Sequence, residues 1–346
     1  DSDDNCPEDF NPEQEDGDLD GAGDSCDPPT LFRDDVTVNN ACEFQPPVSE
    51  FSPEEKWRWP QFEDGVTYPT KLQVMSTPMV ANLTDDNGDG EIDEEDIPEV
   101  IFISFDTYVE PEFERDPTRH HPRDGVLRVV DGKTGLTVFS SDADGQFFSP
   151  VSNVAVGDLD GNGVPEVVGL KANGSGLIAI DANGETHWDC SNKGSCFNTG
   201  SYFNWGAVSI ANLDRSGSPE IIYGNRIFRS DGSEWRILNS NGSLHDLTND
   251  GSGDNFIMPE LTHRLGPLSF AIDLDGDNSH LELIAGRTIF SWDVVFDAYA
   301  VDTHRTENIA SSIANVVLGD YPDQQDGFPA VGNFDTDSRL EIILVA

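Results

Sequence analysis

The sequence predicts an all-β protein assembled from repeats, each a four-stranded antiparallel sheet, and three observations predict it. A short acidic loop flanked by apolar runs recurs from residues 82, 158, 212, 273 and 333. The flanking runs, such as Val151 to Val156 and Val167 to Leu170, have strand length rather than helix length. Turn chemistry of the hairpin kind, at Asp131-Gly132, Asn183-Gly184 and Asp231-Gly232, separates further runs. Self-similarity at such a spacing marks a repeat architecture, and four short antiparallel strands per repeat make a β-propeller blade.

The clearest loop is Asp158-Leu159-Asp160-Gly161-Asn162-Gly163-Val164-Pro165-Glu166. Short oxygen-bearing side chains alternate along it, glycines let the backbone curl and a carboxylate closes it. Ca2+ takes six to eight oxygens in irregular geometry, so Asp158, Asp160, Asn162, Glu166 and the Val164 carbonyl form a calcium ligand set. The third repeat offers Asn212, Asp214, Ser216 and Glu220, with two acids replaced and a weaker site expected. The fourth offers Asp273, Asp275 and Asp277, and an extra residue before Glu282 leaves its closing ligand unassigned. The fifth offers Asn333, Asp335, Asp337, Arg339 and Glu341. The first repeat, from Asn82 to Glu99, is longer. Asp85, Asn87, Asp89, Glu91, Asp93 and Asp96 meet the EF-hand loop template, with Gly90 at the sharp turn and aspartate where glutamate is usual. No helical periodicity flanks it, which predicts an EF-like loop inserted in a blade.

These copies resemble FG-GAP (VCBS-type) repeats, the blades of integrin-α-like β-propellers. The resemblance covers about residues 71–346 and implies about seven blades in a complete chain. Five are visible, and the last stops at Ala346 inside its second strand. An unclosed sheet edge is a template for pairing, so the sequence predicts either further blades or self-assembly through the C-terminal edge.

The expected strands of the second blade are 151–156, 166–170, 177–180 and 185–188. Those of the third are 207–211, 220–223, 227–229 and 234–238. The linker, 30–70, carries Trp57 and Trp59 at alternate positions, expected to pack on the first blade.

Residues 1–29 are a separate segment, almost without apolar residues and unable to bury a core of their own. The pair Cys6 and Cys26, Asn11-Pro12, and the run Asp16-Gly17-Asp18-Leu19-Asp20-Gly21-Ala22-Gly23-Asp24 resemble a thrombospondin type 3 repeat. That resemblance implies a Cys6–Cys26 disulfide and calcium on Asp16, Asp18, Asp20 and Asp24. A disordered acidic linker is the alternative. The chain opens inside this motif, which reads as a processed or trimmed product.

Of the 346 residues 66 are acidic and 19 basic, a net charge of −47, which argues against nucleic acid and anionic membranes as partners. No apolar run is long enough to span a bilayer. Calcium loops and five cysteines point to an extracellular or cell-surface setting. Cys190 and Cys196 are expected to form a local disulfide, since a zinc site lacks further ligands nearby, and Cys42 is left unpaired.

Strand parity separates two faces. The calcium loops all join strands one and two of a blade. The insertions 106–124, 190–205 and 239–267 join strands two and three, or one blade to the next, and gather on the opposite face. Tyr108, Phe113, Tyr202, Phe203, Trp205 and Phe256 lie among them. Loops on a rigid scaffold are where binding resides. The sequence therefore predicts a calcium-dependent adhesion or interaction module for a protein or glycan ligand. The alternatives are a polysaccharide-active enzyme, since some polysaccharide lyases use calcium-loaded propellers with similar loops, and a structural subunit of an extracellular fibre. No nucleophile–base pair, paired acid/base signature or zinc motif is visible, and His187, His245, His263, His280 and His304 are scattered and polar-flanked.

Overall fold

A computed structural model describes residues 54–61, 66–106, 124–172, 174–197, 206–244, 269–276, 279–285, 288–302, 328–332 and 340–345. The expectations for residues 1–53, including Cys6, Cys26, Cys42, Asp16, Asp18, Asp20 and Asp24, lie outside them, as do Asp277, Asn333, Asp335, Asp337 and Arg339. The chain divides into two units, Glu55–Ala330 with Leu344–Ala346, and Asp1–Glu54 with Val331–Ile343. The second unit is described only at Glu54 and in parts of two strands, β18 (Phe328–Gly332) and β19 (Glu341–Val345), which pair with each other.

The larger unit is all-β and built of antiparallel sheets. The first sheet holds β1 (Lys71–Val74), β2 (Met79–Ala81), β3 (Glu99–Asp106), β4 (Val126–Asp131) and β5 (Thr137–Ser141). Here β1 and β2 both pair with β3, so one first strand is broken in two. The second sheet runs β6 (Ala155–Gly157), β7 (Glu166–Leu170), β8 (Leu177–Ile180), β9 (Thr186–Asp189) in spatial order. The third runs β10 (Ser209–Ala211), β11 (Glu220–Tyr223), β12 (Arg226–Phe228), β13 (Glu234–Trp235). The fourth runs β14 (Ser269–Ile272), β15 (Glu282–Ala285), β16 (Thr288–Asp293), β17 (Ala298–Val301). Each sheet is thus a meander, as the alternation of apolar runs and turn signals requires. First strands of successive sheets are neighbours, β2 beside β6, β6 beside β10 and β10 beside β14. The second strands β7, β11 and β15 are buried along their whole length, and β7 and β11 have sheets packed on both faces.

Between sheets the core forms one cluster at each interface. Val168, Leu170 and Ala179 of the second sheet pack with Ile221, Tyr223 and Phe228 of the third. Ile101, Leu127 and Val129 of the first pack with Val167, Ile178 and Ile180 of the second. At the outer rim an aromatic residue from one element covers the hairpin glycine of the next sheet. Trp57 lies over Gly135, Phe139 over Gly184 and Trp188 over Gly232. The Trp57 indole donates to the Gly132 carbonyl at 2.9 Å and the Trp188 indole to the Ser230 carbonyl at 3.0 Å. Trp59 stands edge-on to Phe102, 4.9 Å between centroids. Both linker tryptophans therefore dock on the first sheet, as their spacing predicted.

Gly232 makes this lock testable. Its φ is +81°, and a Cβ there would lie 2.6 Å from Trp188 Cε3. Gly232→Val therefore combines left-handed backbone strain of about 1–2 kcal/mol with displacement of a buried indole. Its melting temperature by calorimetry is expected to fall by several degrees; an unchanged melt would show that the rim lock carries no stability.

One element escapes a reading by strand signals. Residues Cys190–Lys193 form a short helix, α1, capped by the Asp189 side chain accepting from Ser191 N–H and ended by Gly194 in the left-handed region. It carries the Cys190–Cys196 disulfide.

Candidate functional site: the loops at one end of the sheets

In the first four sheets the loop joining the first and second strands is closed by one repeated contact. A glutamate at the start of the second strand turns back and accepts the backbone N–H of the leucine at loop position two. The pairs are Glu99 with Leu83 (2.7 Å), Glu166 with Leu159 (2.8 Å), Glu220 with Leu213 (2.8 Å) and Glu282 with Leu274 (2.7 Å). All four glutamates are buried, and Leu83, Leu159 and Leu213 point into the core. The leucine fixes the loop from inside while the carboxylate holds its backbone, so the polar positions between them face outward around a common centre. Glu282 is therefore in place despite the extra residue before it. Glu99 takes the same place in the first loop, a role the EF-hand template does not assign to it.

Within the second-sheet loop the first aspartate organises the turn. Asp158 Oδ1 accepts the N–H groups of Gly161 (2.7 Å) and Asn162 (3.1 Å), and Oδ2 accepts that of Gly163 (2.8 Å). Asn162 Oδ1 accepts Val164 N–H at 2.6 Å. Asp160 and Glu166 come together with His187 of β9, one donor atom from each lying within 4.8 Å of the others. Asp158 is outside that group. In the fourth sheet Asp273, Asp275 and Glu282 converge to the same limit, an all-oxygen set. There the Arg215 guanidinium of the third loop reaches Asp273 Oδ2 at 3.0 Å. Arg215 stands where the second loop has Gly161 and adopts φ +54°, so one loop lends its neighbour a tethered positive charge.

The longer first loop is organised around two aspartates. Asp85 accepts Gly88 N–H (2.6 Å) and Gly90 N–H (2.9 Å). Asp96 accepts Asp86 N–H, Asn87 N–H and, on its other oxygen, Asp93 N–H at 3.0 Å. These N–H groups, Asp93 foremost, hold the Asp96 carboxyl below its usual range. Asn87 and Asp89 cap Asp89 N–H and Glu91 N–H, and Asp93 caps Glu95 N–H. The carboxylates of this loop are thus spread around its own backbone. In the third loop Ser216 Oγ and N–H both bond Asp214, and Glu220 is pushed up to about 7 by burial, with Asp214 beside it. Burial likewise raises Glu166.

The donor set fits a hard divalent cation. Asn82 and Asn212 occupy the first position of their loops, equivalent to Asp158. Their Oδ1 atoms are buried and accept no hydrogen bond among the described residues. Asn212 Nδ2 donates to the Gly217 carbonyl and Asn82 Nδ2 to the Asp93 carbonyl, which leaves each Oδ1 on the other side of its amide. A buried oxygen without a donor is uncommon and calls for a partner; an oxygen-seeking cation is one. Calcium bound here would be held by Asp160 and Glu166 in the second loop, Asp273, Asp275 and Glu282 in the fourth, and Asn212, Asp214 and Glu220 in the third.

Reading the sequence alone misses Asn82, Glu99 and His187. The first two carry a signal, since Asn-Leu opens and Pro-Glu closes the first loop as in the third. His187 has none in its neighbours. The aromatic residues expected on the opposite face, Tyr108, Phe113, Tyr202, Phe203, Trp205 and Phe256, lie outside the described residues, although the strand ends that their segments join are at the end remote from the loops.

No protein-family model matches the chain, and no curated protein does. Among solved structures it is similar to the V. cholerae biofilm matrix protein Bap1, with 23% identity and a TM-score of 0.53, over 84% of this chain and 37% of that one. It thus spans little more than a third of that protein's length. It also matches rhamnogalacturonan lyase YesW at 16% identity and a TM-score of 0.41, over 80% of this chain and 45% of that one, and the Bacillus licheniformis rhamnogalacturonan lyase PL11 at 15% and 0.41, over the same shares. No helix among the described residues is long and apolar enough to cross a membrane.

Proposed function

We propose that the chain is an extracellular, calcium-braced interaction module that binds a protein or glycan rather than an enzyme. In this reading the four-stranded sheets are blades of an FG-GAP-like (VCBS-type) β-propeller, and residues 1–29 are a thrombospondin type 3-like calcium segment. The observation that carries it is the repeated latch, in which a buried glutamate ties back a leucine N–H at one end of every complete sheet. Such a latch presents carboxylates in the same place blade after blade. Cation loops at one end leave the connections at the other end free to vary, which suits recognition. Likeness of fold to a biofilm matrix protein supports an extracellular matrix setting.

The test is a glycan and protein binding screen of the full chain with calcium and with chelator, run beside an assay for polysaccharide depolymerisation. Saturable binding that chelator weakens, with no depolymerisation, is the expected result. Calcium-dependent chain cleavage, or no binding in either condition, would overturn it.

A further inference from the structure

We propose that the loop between β6 and β7, together with His187 of β9, forms a mixed nitrogen–oxygen site that takes a borderline divalent transition cation of the Zn2+ kind more tightly than calcium. The proposal rests on the reading of these loops as cation sites and departs from it at this one loop. Asp160, Glu166 and His187 each place a donor atom within 4.8 Å of the other two. A triangle of that size leaves a centre no more than about 2.8 Å from each donor, close to the Zn–N and Zn–O bond lengths of about 2.0–2.2 Å. Small side-chain rotations would close the difference.

The kind of donor decides the kind of ion. Calcium selects oxygen, whereas imidazole suits zinc, copper and nickel. The fourth-sheet group, Asp273, Asp275 and Glu282, has no imidazole. An independent observation points into the site. Glu166 is 2% exposed and its Oε2 accepts Leu159 N–H, while among the described residues Oε1 accepts no hydrogen bond. A buried carboxylate held on one oxygen, beside an acid and an imidazole, suits a cation shared among the three. Asp160 and His187 are exposed, so an ion can enter and retain a water as fourth ligand.

The placement of His187 comes from the backbone. The β8–β9 register pairs Ala179 with Trp188 and Ile180 with Thr186, so His187 is the extra residue of a bulge. Bulges re-aim a side chain. The first sheet has the same bulge, with Val129 opposite Phe139 and Val130 opposite Thr137. Its extra residue is Val138, which is exposed and cannot ligate. The bulge thus recurs in two of the four sheets, the third and fourth pairing these strands without a shift, and the histidine on it is particular to the second.

The experiment is Zn2+ and Ca2+ titration of the metal-stripped full chain by calorimetry, parent against His187→Val, the residue type of the first-sheet bulge. The parent is expected to bind zinc, and the variant to lose about tenfold or more in zinc affinity, at least the scale on which groups outside the ligand shell act. Calcium binding and the metal-free melt should be unchanged. X-ray absorption of the zinc-loaded parent should show an imidazole that the variant lacks. Calcium binding without zinc binding, equal zinc affinity in the two proteins, or equal losses for zinc and calcium would each overturn the proposal while leaving the calcium reading standing. Binding of neither ion would overturn both.

Discussion

Arg128→Met is expected to destabilise the protein by about 3–5 kcal/mol, the range for breaking a buried charged network. Arg128 is 2% exposed in the middle of β4, and among the described residues no carboxylate pairs with it. Its charge is held by oxygens alone. Nε donates to Ser104 Oγ at 2.9 Å, Nη1 to the Thr67 carbonyl at 2.8 Å and Ser140 Oγ at 2.7 Å, and Nη2 to the Tyr68 carbonyl at 2.7 Å. Burial pulls its pKa down, yet a guanidinium stays charged at any ordinary pH. The planar fork thus ties the entry segment 66–71 to three strands of the first sheet. Methionine fills similar space but leaves two hydroxyls and the Thr67 carbonyl without this donor, each a loss of about 1–3 kcal/mol when it stays dry, while the Tyr68 carbonyl keeps the Lys71 N–H. Lysine has the charge but a single donor centre, so Arg128→Lys should recover only part of the loss. The measurement is thermal melting together with amide exchange across residues 66–74, which should accelerate in the methionine variant. A melt equal to the parent's would show that the entry segment is held by other contacts, such as those of Trp57 and Trp59.

The legibility of this chain divides along local and non-local lines. Glu166–Leu170, Leu177–Ile180 and Glu220–Tyr223 are strands with the bounds their apolar runs and turn signals predict, because those signals are contiguous in sequence. The break between β1 and β2 is not visible, since the shared partner β3 decides it. Helix α1 follows from Asp189 and Gly194 acting as caps, but four residues carry no periodicity. The same holds at the loops. Alternating acids mark where a cation would bind, and the structure brings Asp273 and Asp275 together as that spacing requires. The latch of Glu99 on Leu83 appears only when the repeats are aligned with each other. The pairing of Arg215 with Asp273 and the approach of His187 to Glu166 depend on a neighbouring sheet and on a bulge two strands away. No local pattern reports either one.

Withdrawal of calcium is expected to lower the melting temperature by on the order of 10 °C, since each site saturated at about 100 times its Kd contributes about 2.7 kcal/mol to the folded state alone. The pH dependence of that loss identifies a particular loop. Burial holds Glu220 up to about 7, against the ordinary glutamate value of 4.5, when no cation is present. A carboxyl whose folded pKa is raised favours folding while both states are protonated, and that contribution disappears as pH rises through the folded value. In chelator the protein should therefore lose stability between about pH 5 and pH 8, part of it through Glu220 and part through general repulsion among the carboxylates. Glu220→Gln separates the two. Glutamine keeps an acceptor for Leu213 N–H but carries no charge to desolvate. In chelator at pH 8 the variant should melt higher than the parent, and at pH 4 the two should melt nearly together. In saturating calcium the order should reverse, because the variant has given up a charged ligand to the ion. A variant that melts lower than the parent in chelator at pH 8 would show that Glu220 is stabilising as a free carboxylate. An unchanged order in calcium would show that the third loop, with Asn212 in place of an aspartate, holds no ion through this residue.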